Sequence, residues 1–158
     1  MEASLSSATG MHQRLAAILA ADAAGFSRLM AHDEKATIAA LDQSREAFRA
    51  AILAHGGRVI DMAGDSVLAV FDTAVGAAST ALEVQQALEA FAAELPEDRR
   101  MRFRIGVHLG DVIQKPDGCV YGDGVNIAAR LQVLALPGGI IVSDAVGSSV
   151  RNRVPATR

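Results

Sequence analysis

Two aspartates, an asparagine and an arginine carry the chemistry legible in this chain. Asp22 closes the apolar run that begins at Leu15, and Ala23-Ala24-Gly25-Phe26-Ser27 follow it. Asp65 lies in a turn, Ala63-Gly64-Asp65, between two apolar runs. Carboxylates without histidine or cysteine neighbours suit hard cations such as Mg²⁺ or Mn²⁺. Two such ions about 3.5–4 Å apart can clamp the attacking and leaving oxygens of a phosphoryl transfer. The bare loop after Asp22 offers backbone N–H groups to phosphate oxygens, and Ser27 adds a hydroxyl. Asn126 and Arg130, four residues apart, share one helix face. An amide beside a guanidinium can hold a ribose and stabilise charge growing on phosphorus. Singly, each has an ordinary explanation: Asp22 as a turn cap, Asp65 as a hairpin residue, Arg130 as a surface arginine. Only their convergence makes a site.

The elements that must bring them together can be read in order. Residues 14–22 read as a first strand, short and closed by Gly25. A helix starts near His32-Asp33, carries Ile38, Leu41, Phe48 and Ile52 on one face, and stops at Gly56-Gly57. Val59-Ile60 and Val67–Phe71 form a hairpin around Asp65. A second helix runs from Asp72-Thr73 to Pro96, with Ala77, Ala81, Val84, Leu88, Phe91 and Leu95 as its buried stripe. Residues 101–109 alternate strictly, Met101, Phe103, Ile105, Val107 and Leu109 on one face and Arg102, Arg104 and His108 on the other. A hairpin through Lys115–Gly118, a short helix from Tyr121-Gly122-Asp123-Gly124 to Leu134, and a strand Ile140–Val142 complete the order. Strand, helix, strand, strand, helix, strand predicts an α+β fold, a ferredoxin-like βαββαβ sheet with both helices on one face. In that arrangement strand one lies antiparallel to strand three, so Asp22 and Asp65 meet at one rim. The face bearing Arg104 is left in need of a partner.

Composition narrows the class. Apolar residues are 51% of the chain, enough for one domain with a core, and the net charge of −3 gives no electrostatic footprint for nucleic acid. The single cysteine excludes an internal disulfide. No apolar run reaches the roughly 18 residues of a membrane span, and the start of the chain lacks the order of a signal peptide. The expectation is a cytoplasmic domain over residues 14–158, without a membrane segment, behind a flexible tail over residues 1–13.

Four segments together resemble the class III nucleotide cyclase catalytic domain. They are Asp22-Ala23-Ala24-Gly25-Phe26-Ser27, Gly64-Asp65-Ser66, Arg104-Ile105-Gly106-Val107-His108 and Gly122-Asp123-Gly124-Val125-Asn126-Ile127-Ala128-Ala129-Arg130. The resemblance implies conversion of a nucleoside triphosphate to a 3′,5′-cyclic nucleotide and pyrophosphate. It implies two Mg²⁺ or Mn²⁺ held at Asp22, Asp65 and Ala23, and phosphates cradled by Gly25, Phe26 and Ser27. Arg104 would contact the departing pyrophosphate, Asn126 orient the ribose and Arg130 stabilise the transition state. It also implies a homodimer, with the metal residues from one protomer and Asn126 and Arg130 from the other.

Base choice falls on Asp61 and Cys119. Family members acting on ATP usually carry lysine and aspartate or threonine at these places, and those acting on GTP glutamate and cysteine. A carboxylate accepts from guanine N1–H and N2–H₂ but opposes the adenine N1 acceptor, so the pair leans to GTP, with ATP the alternative. Such charged hydrogen bonds are worth about 1.5–3 kcal/mol. The family's closing strand pair and its phosphate-binding lysine are not found before Arg158, which reads as a truncation and leaves a rival: a catalytically silent regulatory or dimerisation module. A diguanylate-cyclase-like domain lacks its Gly-Gly-acid-acid hairpin here, and no P-loop is present.

Overall fold

A computed structural model describes residues 10–154. Residues 1–9, most of the expected tail, and residues 155–158 lie outside the described residues. Strand β1 (His12–Ala23) is the centre of the sheet. It starts two residues before the expected strand, and His12 and Gln13 pair with Gln114 and Ile113. The antiparallel hairpin of β2 (Gly57–Asp61) and β3 (Ser66–Phe71) lies on one side of it, and β4 (Phe103–Gln114) on the other. The order is β2-β3-β1-β4-β5, where β5 is Val120–Tyr121, and β6 (Ile140–Val142) pairs parallel with β4. This is the predicted split topology, with β1 antiparallel to both β3 and β4.

The helices depart from the predicted set in three ways. The loop after Asp22 is shorter than expected, because Phe26 and Ser27 already begin helix α1 (Phe26–His32). Asp33 ends α1 and caps α2 (Glu34–Ala54), its side chain accepting from the Ala36 N–H at 3.0 Å. Helix α3 (Ala74–Ala92) stops short of Pro96, and a 3₁₀ turn at Glu97–Arg99 leads to β4. The expected stripes hold except at their ends: Ile38, Phe91 and Leu95 are exposed, while Phe48, Ile52, Val84 and Leu88 are buried. A short helix α5 (Asp144–Val150), absent from the sequence reading, seats Val146 in the core.

Alternation along β1 and β4 divides the core in two. Leu19, Ala21, Phe103, Ile105 and Val107 face the layer of α2, α3 and α5, where Phe48 and Phe103 meet edge to face at 5.1 Å. Ala16, Ile18, Ala20, Val70 and Val112 face the other way. The partner predicted for that second face is in part the chain's own helix α4 (Asp123–Leu134), which seats Ala128 there. Gly106 makes this close crossing possible: a Cβ there would sit 2.4 Å from the Gln132 nitrogen and 2.5 Å from the Ala128 carbonyl oxygen.

Candidate active site

The ladder brings the two aspartates to one rim. Asp22 pairs with Ser66 on β3 and with Arg104 on β4, and Asp65 immediately precedes Ser66 in the turn. Gly64 takes φ 58° in that turn, a left-handed conformation that glycine adopts without strain. The turn is steadied from α2, where the Arg45 guanidinium donates to the Gly64 carbonyl. Burial, then the neighbouring Asp65 charge, push the Asp22 carboxyl above the ordinary carboxylate range, and Arg104 partly opposes them. Two half-buried carboxylates near enough to repel form a focus of negative charge that a hard dication would neutralise. Among the described residues no group of three or more His, Cys, Asp or Glu converges on a metal site. A cation here would therefore draw its remaining oxygens from backbone, phosphate or water, which suits Mg²⁺ and Mn²⁺. Ala23 ends β1 opposite Phe103, beside this pair.

The loop expected to hold phosphate is narrower than its sequence suggested. The Ala24 N–H is taken by the Arg102 carbonyl at 2.8 Å, so it is not a phosphate donor. Gly25, with φ 65°, is the N-cap of α1 and provides no side-chain cap, leaving the first-turn N–H groups of Phe26 and Ser27 facing outward from the helix start. Ser27 is exposed and Phe26 leans on the core. Beside the loop lies a recess lined by Arg28, Arg100, Arg102 and Arg104. Arg100 and Arg102 are already paired with Glu89 and Glu97. Arg104 faces Asp22 across the ladder, and its Nε donates to the Ala135 carbonyl at 3.0 Å.

Asn126 and Arg130 do share one helix face, and that face is exposed. Helix α4 turns Gly124, Ala128 and Gln132 to the sheet instead. Within one chain no hydrogen bond or ion pair joins Asn126 or Arg130 to either aspartate among the described residues. The residue that does reach the site from α4 is Gln132, whose Nε2 donates to Asp22 Oδ1 at 2.7 Å. Sequence reasoning missed it, although Gly124, Ala128 and Gln132 at spacing four mark a buried stripe with a polar end. Asp61 is exposed next to a bulge of β2. Cys119 is half-buried, and its N–H donates to Asp117 Oδ1 at 2.9 Å, which holds that carboxyl below its ordinary range. Arg58 on β2 donates to the Gly118 carbonyl at 3.3 Å, so the strand of Asp61 and the turn of Cys119 meet.

The adenylate and guanylate cyclase catalytic domain matches residues 11–156, nearly the whole chain. This chain belongs to that family. A putative adenylate cyclase 3 of Rhizobium meliloti is 46% identical over 90% of this cyclase domain. An adenylate cyclase of Streptomyces coelicolor is 33% identical over 85% of it. The domain spans 24% of the first of these relatives and 34% of the second. Among solved structures, an adenylate/guanylate cyclase/hydrolase from Silicibacter pomeroyi is 42% identical with a TM-score of 0.85, covering 93% of this chain and 86% of that one. The adenylyl cyclase CyaB of P. aeruginosa, at 19% identity, has the same fold with a TM-score of 0.81 over 92% of this chain and 84% of that one. No helix among the described residues is long and apolar enough to cross a membrane.

Proposed function

We propose that this cyclase domain closes a nucleoside triphosphate to a 3′,5′-cyclic nucleotide as a metal-dependent homodimer with shared sites. Asp22 and Asp65, with the backbone at Ala23, would hold two Mg²⁺ or Mn²⁺, which when bound acidify the ribose 3′-hydroxyl and neutralise the triphosphate. Phe26 and Ser27 donate N–H groups to phosphate oxygens at the Gly25 turn. Arg104 binds the departing pyrophosphate. Asn126 and Arg130 come from a second copy, since their face of α4 is turned away from the chain's own aspartates. Asn126 orients the ribose, and Arg130 stabilises charge on the α-phosphorus as the 3′-oxygen attacks and pyrophosphate leaves. The observation that carries the reading is the meeting of Asp22 and Asp65 at one rim.

Asp61 and Cys119 favour GTP as the base. A second reading, ATP, is favoured by the relatives named adenylate cyclase. An assay of the purified protein with Mn²⁺ and either nucleotide decides between them. Asp22→Ala and Asp65→Ala should each lower the rate by on the order of 10²–10³. Mixing Asp22→Ala with Arg130→Ala chains should restore activity, because one of the two shared sites is then intact. Nucleotide binding without any cyclic product would replace this reading by that of a silent regulatory module.

A further inference from the structure

Four polar residues are buried among the described residues: Thr37, Ser44, Thr80 and Gln132. Three of them bond backbone carbonyls of helices or helix ends, at Leu29, Ala40, Gly76 and Ala51. Gln132 differs. Only 7% exposed, it spends its amide on a carboxylate 110 residues away, at 2.7 Å. That short contact is a charge-assisted hydrogen bond, stronger than the neutral ones. The close crossing at Gly106 is what lets Gln132 reach it, because Gly106 lies two residues along β4 from Arg104, the ladder partner of Asp22.

Both β1–β4 groups of the proposed site are thereby tied to the end of α4. Asp22 is held through Gln132 and Arg104 through the Ala135 carbonyl. The same helix carries Asn126 and Arg130 on its exposed face. We propose that Gln132 is a positioning residue: it occupies one lone pair of Asp22 Oδ1 and fixes the carboxylate plane, leaving Oδ2 and the outer lone pairs for a divalent cation. This rests on Asp22 being a metal ligand. It makes α4 a shared part of two sites, its inner face orienting the carboxylate of its own chain while its outer face serves the other chain. A hydrogen-bonding partner of a ligating group typically sets metal affinity by 10–100-fold.

The test is a Mn²⁺ titration followed by electron paramagnetic resonance, on the wild type, Gln132→Met, Gln132→Asn and Asp22→Asn, each checked for its melting temperature. Methionine keeps the length and removes the donor, and asparagine keeps the donor but is one methylene too short. Both should weaken Mn²⁺ binding by about 10–100-fold, while kcat at saturating Mn²⁺ changes far less. If Asp22→Asn weakens binding and both Gln132 variants bind like the wild type, the positioning role is wrong and the metal reading stands. If Asp22→Asn itself binds like the wild type, the metal reading fails and takes this role with it. Should neither Gln132 variant fold, the Gln132 side-chain amide resonance of the wild type decides: it must move on adding Mg²⁺, and an unmoved resonance overturns the proposal.

Discussion

The two faces of the central sheet are built from different residues for different ends. The face under α2, α3 and α5 is packed with Leu19, Phe48, Ile52, Phe103, Ile105 and Val107, all at most 1% exposed. The face under α4 carries Ile18, Val70 and Val112, but beside Asp22 and Arg104 it narrows to the ladder pair Ala20 and Gly106, where α4 brings in Gln132. Bulk on the first face buries area and holds the sheet together. Smallness on the second lets a helix come close enough for polar groups to meet. Stability and chemistry are therefore assigned to opposite sides of the same strands, one residue apart.

Phe48→Ala opens a large cavity in the first face. It should cost about 3–5 kcal/mol of stability, read by denaturant unfolding, with activity per folded molecule retained. A matching loss of kcat in the folded fraction would break the division. Gly106→Ala strikes the second face. Its Cβ would meet backbone at 2.4 and 2.5 Å, which no rotamer can relieve, so α4 must move. We expect about 1–3 kcal/mol of destabilisation and a loss of activity well beyond it, because Asp22, Arg104 and Arg130 all depend on where α4 lies. A loss of stability alone would show that α4 need not be closely placed.

The smallest effect concerns Asp22 in metal-free protein. Its carboxyl titrates above the ordinary range in the fold, so the native state favours the protonated form. The contribution of this group to stability is thus most favourable below the unfolded-state value, near 3.8, falls as pH rises through the raised value, and stays lower beyond it. Asp22→Asn removes the charge and keeps an acceptor for Gln132. It should raise the neutral-pH Tm by roughly 2–4 °C, with the difference from wild type vanishing in acid and reversing when Mn²⁺ is added to both. A gain that persists at low pH would mean that the cost of charging a half-buried carboxyl beside Asp65 is not its source.

What the sequence disclosed follows the same division. The first face was legible because alternation in Met101–Leu109 and the 3.6-residue spacing of Leu41, Phe48 and Ile52 are signals of burial. The meeting of Asp22 and Asp65 was legible too, since topology alone forces it. Besides the short helix α5, three things were not. The paired role of Asp33 hid α1, because its seven residues are too few to set up a period. The placement of α4 on the second face depends on Gly106, whose meaning is a distance to another element. Gln132 reads as an ordinary polar helix residue until that distance closes. Ile38, Phe91 and Leu95 erred oppositely: they keep the helical spacing yet lie exposed, Leu95 beyond the end of α3.

The junction at Asp33 has a mechanical consequence. One extended residue receives α1 through its backbone N–H on the Leu29 carbonyl. It starts α2 through its side chain on Ala36 and its own carbonyl on Thr37. A single amino acid thus welds two rods end to end, with no slack segment between them. The short rod cannot swing on the long one without giving up the Asp33 N–H bond to the Leu29 carbonyl and the buried Thr37 hydroxyl bond to the same oxygen, so the last turn of α1 is fastened to the first turn of α2.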